Sequence, residues 1–229
     1  MSRNSKIGVL LLDSSHLDDI RTFASQFGDV FVVMPYEVRL DLDILFVHSK
    51  LPSTSPITSK DVSYSKDLTN FYSLYYPKYK DSDIPVFALE NACIEAWKIL
   101  GGSLVGNITG HNGLHGILNK KDKIYLKVDS DHSIGLVDNA ALATPIAHEF
   151  RGSKNTFETC KPIDYDKHLG FVEIFESSYL SGCMNPTHIK ENKYSSKVYE
   201  ETKCMYGDLI TLRLILKILR KHGTAAVPV

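Results

Sequence analysis

Residues 84–104 read IPVFALENACIEAWKILGGSL, and the parsing of that stretch decides the fold. The opening IPVFAL is a continuous apolar run of strand length, as expected of a strand buried on both faces. From Asn91 to Leu100 the spacing turns helical, with Cys93, Ala96, Trp97 and Leu100 on one face. Gly101 and Gly102 then stop the helix. A buried strand leading through a sharp turn into an amphipathic helix is the building unit of parallel α/β sheets. The turn is also a favoured seat for a nucleophile. Glu90 occupies it, and a cysteine, Cys93, comes three residues later.

The segments on either side fit the same architecture. KIGVLLLD (6–13) is another buried-strand run, and SSHLDDIRTFASQFG (14–28) places Leu17, Ile20, Ala24 and Phe27 at helical spacing. Ser14 or Ser15 can cap that helix and Gly28 can end it. DVFVVMPYEV and LDILFVHS read as two further strands. KLPSTSPITSKDVSYSK (50–66) is rich in Pro, Ser and Thr and reads as an irregular loop. DLTNFYSLYYPKYK follows, predicted as a helix ending near Pro77 with its tyrosine hydroxyls in water.

Beyond Ser103 the character becomes β-rich. SLVGNI, HGIL, KIYLKV, SIGLV, FVEIFES and YLSGCM are short strand-like runs between turn residues. The three glycines of TGHNGLHG mark that stretch as a loop, so the four-residue spacing of His111 and His115 carries no helical metal-site argument. GDLITLRLILKILRKHG closes the chain as a helix packed on the sheet, with Asp208 as its expected N-cap. No internal repeat or composition break divides residues 1–229, so one domain is expected.

Composition excludes several function classes. The formal net charge of −1 offers no basic field for nucleic acid or anionic membrane. The longest apolar runs fall well short of the roughly 20 residues a spanning helix needs, and MSRNSK followed by IGVLLL does not make a secretory leader. The four cysteines (Cys93, Cys160, Cys183 and Cys204) form no C-x-x-C pair, which argues against a zinc site or a disulfide framework. A cytoplasmic protein with no cofactor and no metal is the expectation.

Two motifs carry a resemblance. IPVFALENACIEAWKILGGSL aligns without a gap to the strand–elbow–helix of class I glutamine amidotransferases, where the pattern KPVLGIC-x-G-x-Q runs into a helix ending GG-T/S-L. GFVEIFESSYLSGCMNPTH (170–188) stands where that family has V-E-A-I-E followed by G-V-Q-F-H-P-E. The chain thus resembles class I glutamine amidotransferase domains, including their γ-glutamyl hydrolase-like relatives. The resemblance implies a flavodoxin-like α/β fold: a largely parallel central sheet with helices on both faces, and a β-rich C-terminal half.

It also implies a change of chemistry. The family attacks a glutamine amide with a cysteine thiolate, moves the proton with a histidine and orients that histidine with a glutamate. Mapped onto this chain, those positions hold Glu90, Asn185 and Thr187, with Pro186 kept between the last two. The glycine-rich turn that supplies the family's oxyanion hole has no counterpart, since LFVHSKLPS lacks glycine. The elbow amides of Asn91 and Ala92 remain as candidate donors. Cys93, one helical turn along and facing the core, reads as a structural thiol.

The remaining pocket candidates are His48, Lys50, Glu90, Asn91, His148 and Asn185. A carboxylate at a helix N-terminus is held ionised by the dipole, so Glu90 is expected to pair with Lys50 and plug the old pocket. The leading expectation is a catalytically inactive amidotransferase-like protein, a pseudoenzyme, that binds a protein partner or a small ligand. One alternative is an enzyme with altered hydrolase or amidotransferase chemistry on a γ-glutamyl or related substrate, using Glu90. A second is an assembly scaffold, with self-association or a partner on the tyrosine-rich or C-terminal helix.

Overall fold

The computed structural model describes residues 4–12, 17–49, 66–106, 108, 112–119, 121, 124–132, 134–151, 167–184 and 205–222. Strand β1 (Lys6–Leu10) leads through helix α1 (Leu17–Ser25) to β2 (Asp29–Val33), and β3 (Ile44–Ser49) follows. Helix α2 (66–81) precedes β4 (Val86–Glu90), which turns into α3 (Ala92–Ile99). Then come β5 (Leu104–Gly106), β6 (Asn112–Asn119), β7 (Ile124–Asp131), β8 (Ile134–Leu136), β9 (Thr144–Phe150), β10 (Leu169–Glu176) and β11 (Leu180–Cys183). Helix α4 (Met205–Lys221) closes the described fold.

The eleven strands among the described residues belong to one sheet, whose main path runs β2-β1-β3-β4-β11-β10-β9-β6-β7, with β8 pairing β10 and β5. The first five are mutually parallel, and from β10 outward the pairing is antiparallel. The parallel order matches the flavodoxin-like doubly wound sheet, in which ligands bind beyond the carboxyl ends of the strands.

Side chains alternate strictly along the central strands, so the sheet carries one apolar core on each face. Leu45, Val47, Val86 and Ala88 pack beneath α2 and α3 with Trp97 and Phe175. Ile44, Phe46, Phe87 and Leu89 pack on the other face with Phe23 of α1 and Ile215 of α4. Helices cover both faces, as the apolar strand runs require. No helix among the described residues is long and apolar enough to cross a membrane.

Three sequence expectations need correcting. Helix α2 does not end near Pro77 but continues to Asp81, because the turn before the proline widens to π geometry over Phe71–Tyr75. There Tyr76 N–H donates to Phe71 O, five residues back, and the proline enters at the start of a fresh α-helical turn, where a missing donor costs little. Two tyrosine hydroxyls are also not left to water: Tyr72 donates to Ala92 O at 3.2 Å, and Tyr79 accepts from Arg39 N–H at 3.2 Å. Second, NGLHG forms the start of strand β6, not a loop, while His111 lies outside the described residues. Third, Asp208 is inside the first turn of α4, which starts at Met205, so it is not the N-cap.

Candidate functional site

The carboxyl ends of β3, β4 and β11 lie side by side: Ser49 is opposite Glu90, and Leu89 opposite Cys183. At the tip of β4 the chain must reverse into α3 within one residue. Glu90 takes that step with φ of +53°, a left-handed conformation that costs a non-glycine residue about 1 kcal/mol or more. The strand–turn–helix is therefore a genuine elbow, with a glutamate at its apex.

Glu90 is almost fully buried, and its Oε2 lies 3.2 Å from Nε2 of His48, itself 5% exposed. The contact is an ion-pair approach rather than an aligned hydrogen bond. His48 sits next to last on β3, one register step from the Ser49 that faces Glu90. The pleat alone would send the two side chains to opposite faces, and they meet where Glu90 leaves strand geometry at the elbow. Lys50, the partner expected from sequence, lies outside the described residues.

Asn91 caps α3, and its side chain makes no capping bond. Its backbone N–H donates to Ser49 O at 2.9 Å. That amide is committed to the neighbouring strand, so the expected half of an oxyanion hole is not free at Asn91. Cys93 is fully buried, donates its S–H to Ala88 O at 3.3 Å, and has its thiol pushed well up by burial. A neutral, enclosed thiol is no nucleophile. Cys183 lies on the opposite face, where its sulfur accepts from Thr211 Oγ1 at 3.2 Å. Gly182 matters for this packing: a Cβ there would press into Phe175 and the Cys93 sulfur.

A second carboxylate–imidazole pair stands two strands away, and sequence reasoning did not single it out. Glu173 of β10 is 1% exposed, with Oε2 3.5 Å from His132 Nε2. The His132 Nδ1–H donates to Ile134 O at 2.9 Å, which fixes the ring. Glu173 falls at a register shift, with Val172 opposite His148 but Ile174 opposite Ala147. A bulge of this kind re-aims a side chain that the pleat would otherwise point elsewhere. Its carbonyl accepts from Met184 N–H at 2.8 Å, so it is level with the last residues of β11. The one available signal was a glutamate inside the apolar strand FVEIFE, since a buried carboxylate needs a partner.

Among the other candidates, His148 is buried on β9, away from the elbow, with Nε2 2.9 Å from Asp138 Oδ2. Asn185 and Thr187 lie outside the described residues. The elbow thus brings together His48, Glu90 and Asn91, and it does not gather His148. No group of three or more metal-ligating side chains occurs among the described residues.

No protein-family model and no curated protein matches this sequence. Solved structures do match its fold. A glutamine amidotransferase from Thermotoga maritima superposes with a TM-score of 0.55 at 10% identity, over 96% of this chain and 91% of that one. A candidate GMP synthase subunit from Thermoplasma acidophilum superposes with a TM-score of 0.54 at 14% identity, over 95% of this chain and 100% of that one. The sheet order, the elbow and these near full-length superpositions agree: the chain has the glutamine amidotransferase-like α/β fold.

Proposed function

We propose that the chain is a glutamine amidotransferase-like protein without glutaminase activity, working by binding a small ligand at the carboxyl ends of β3, β4 and β11. One observation carries this reading: the elbow apex bears the buried Glu90–His48 pair in place of a thiol. The Asn91 amide bonded to Ser49 O and the sealed Cys93 support it, because amide hydrolysis by the family route needs both an exposed thiolate and an oxyanion donor. The resemblance adds Asn185 and Thr187 at the other two catalytic positions. The two buried carboxylates fit a ligand that offers cationic or hydrogen-bond-donor groups.

The second reading is an enzyme of altered chemistry, and one feature favours it. Backbone strain at Glu90 has not been relieved by glycine, and strained residues of this kind concentrate at working sites. One assay separates the two: ammonia and glutamate release from glutamine and a panel of γ-glutamyl compounds, for the native protein and Glu90→Ala. The expected result is no turnover by either. Turnover by the native protein that disappears in Glu90→Ala would overturn the binding reading and make Glu90 catalytic.

A further inference from the structure

The face of the sheet opposite α3 holds a cavity of about 610 Å³ between α4 and strands β6 and β9. That volume is in the range of small-molecule sites. Its floor is apolar, formed by Pro145, Ile146, Ile210 and Leu214. Its rim is cationic, with Lys121, Arg213 and Lys217. Lys217 is neutralised by Glu176, whose two oxygens lie 2.8 and 2.7 Å from its Nζ. Neither Lys121 nor Arg213 has an ion-pair partner among the described residues. The acidic lining residue, Asp138, is already engaged by His148 at 2.9 Å. Among the described residues, the lining therefore offers about two uncompensated positive charges above an apolar floor.

His148 adds an independent sign. With Nε2 donating to Asp138, its Nδ1 is buried and has no hydrogen-bond partner. Buried polar atoms are nearly always satisfied; with the proton on Nε2 this nitrogen can only accept, so it calls for a donor on the organic part of a ligand rather than for an anion.

We propose that this cavity binds a phosphorylated small molecule, with its phosphate held by Arg213 and Lys121 and its apolar body laid on Ile146, Ile210 and Leu214. A phosphate dianion matches the charge of these two cations, which have no ion-pair partner among the described residues. A guanidinium grips it through two parallel N–H bonds, which suits Arg213 to the main contact. The site is on the other face of the sheet from Trp97 and α3, so it stands or falls independently of the elbow.

The test is calorimetric titration of the full chain with phenyl phosphate, inorganic phosphate and phenylacetate. Saturable binding of phenyl phosphate is expected at millimolar concentration or below. Inorganic phosphate should bind more weakly for want of the apolar body, and phenylacetate more weakly for want of the second charge. Arg213→Gln should weaken phenyl phosphate binding about tenfold or more, as expected for loss of a charged hydrogen-bond pair, and Lys121→Gln should weaken it too. Both side chains are exposed, so an unchanged melting temperature will show that each variant folds. Absence of saturable phenyl phosphate binding, or binding indifferent to both cation substitutions, overturns the proposal. Equal affinity for inorganic phosphate removes the apolar half of the site and overturns it as stated.

Discussion

Glu90 combines two opposed contributions. Its backbone conformation is unfavourable for any residue with a Cβ, while its carboxylate lies against His48 in surroundings that exclude water. Substitution separates them. Glu90→Ala and Glu90→Gly both remove the carboxylate, but only glycine also relieves the left-handed strain. The glycine variant should therefore be the more stable of the two, by about 1 kcal/mol. Urea denaturation of both variants reads that difference directly. Equal stabilities would mean that the elbow relaxes its φ once the carboxylate is gone, and that the carboxylate holds the turn in place.

At the scale of elements, β1 is tied to the connection between β2 and β3 by a charge cluster. Asp41 accepts from Arg39 and from Lys6 of β1, each at 2.8 Å. The Arg39 hydrogen bond first, and the Lys6 one second, hold its carboxyl far below the usual carboxylate range. A carboxyl depressed in the folded state stabilises above its unfolded pKa, about 3.9, and that stabilisation fades as the pH falls below it. Asp41→Asn should therefore be less stable than the native chain at neutral pH, with the gap closing as the pH drops below about 4. Denaturation at pH 7 and pH 3 tests the sign, and a gap that widens in acid would exclude the pair as its source. Sequence reading served such elements unevenly. Strands β1, β3 and β4 were legible because burial on both faces leaves an unbroken apolar run. Helix α3 was legible because its apolar face and terminal glycines agree: Gly101 does adopt the left-handed conformation, at φ of +84°. The passage of α2 through Pro77 was hidden, since the compensating π turn depends on packing rather than composition. The His132–Glu173 pair was hidden as well, because a bulge between distant strands set it up. His48 stood out in the sequence through its place at the end of a strand, but its contact with Glu90 was hidden, because it depends on the pairing of two strands and on the turn of the chain at Glu90.

For the whole molecule, the question is what makes the parallel and antiparallel halves of the sheet behave as one body. Helix α4 lies across both. Ile215 is fully buried in a cluster that contains Ile7, Val9 and Phe46 from the parallel strands together with Ile117, Ala147 and Ile174 from the antiparallel ones. The opposite core spans the same junction, as the Trp97 ring packs 5.0 Å from Phe175 of β10 while its N–H donates to Val137 O beyond β8. Each face thus fastens the two halves with its own set of side chains. Ile215→Ala deletes buried atoms on one face only and should cost about 2–5 kcal/mol, lowering the melting temperature by roughly 5–15 °C for a chain of this size. Trp97, the sole tryptophan, reports on the other face. If the sheet transmits the loss between faces, Trp97 fluorescence and far-UV circular dichroism will shift together to the same lower midpoint in Ile215→Ala. If the fluorescence midpoint stays at its native value while the dichroism moves, the two faces melt separately, and α4 fastens only the half of the molecule that holds the cavity.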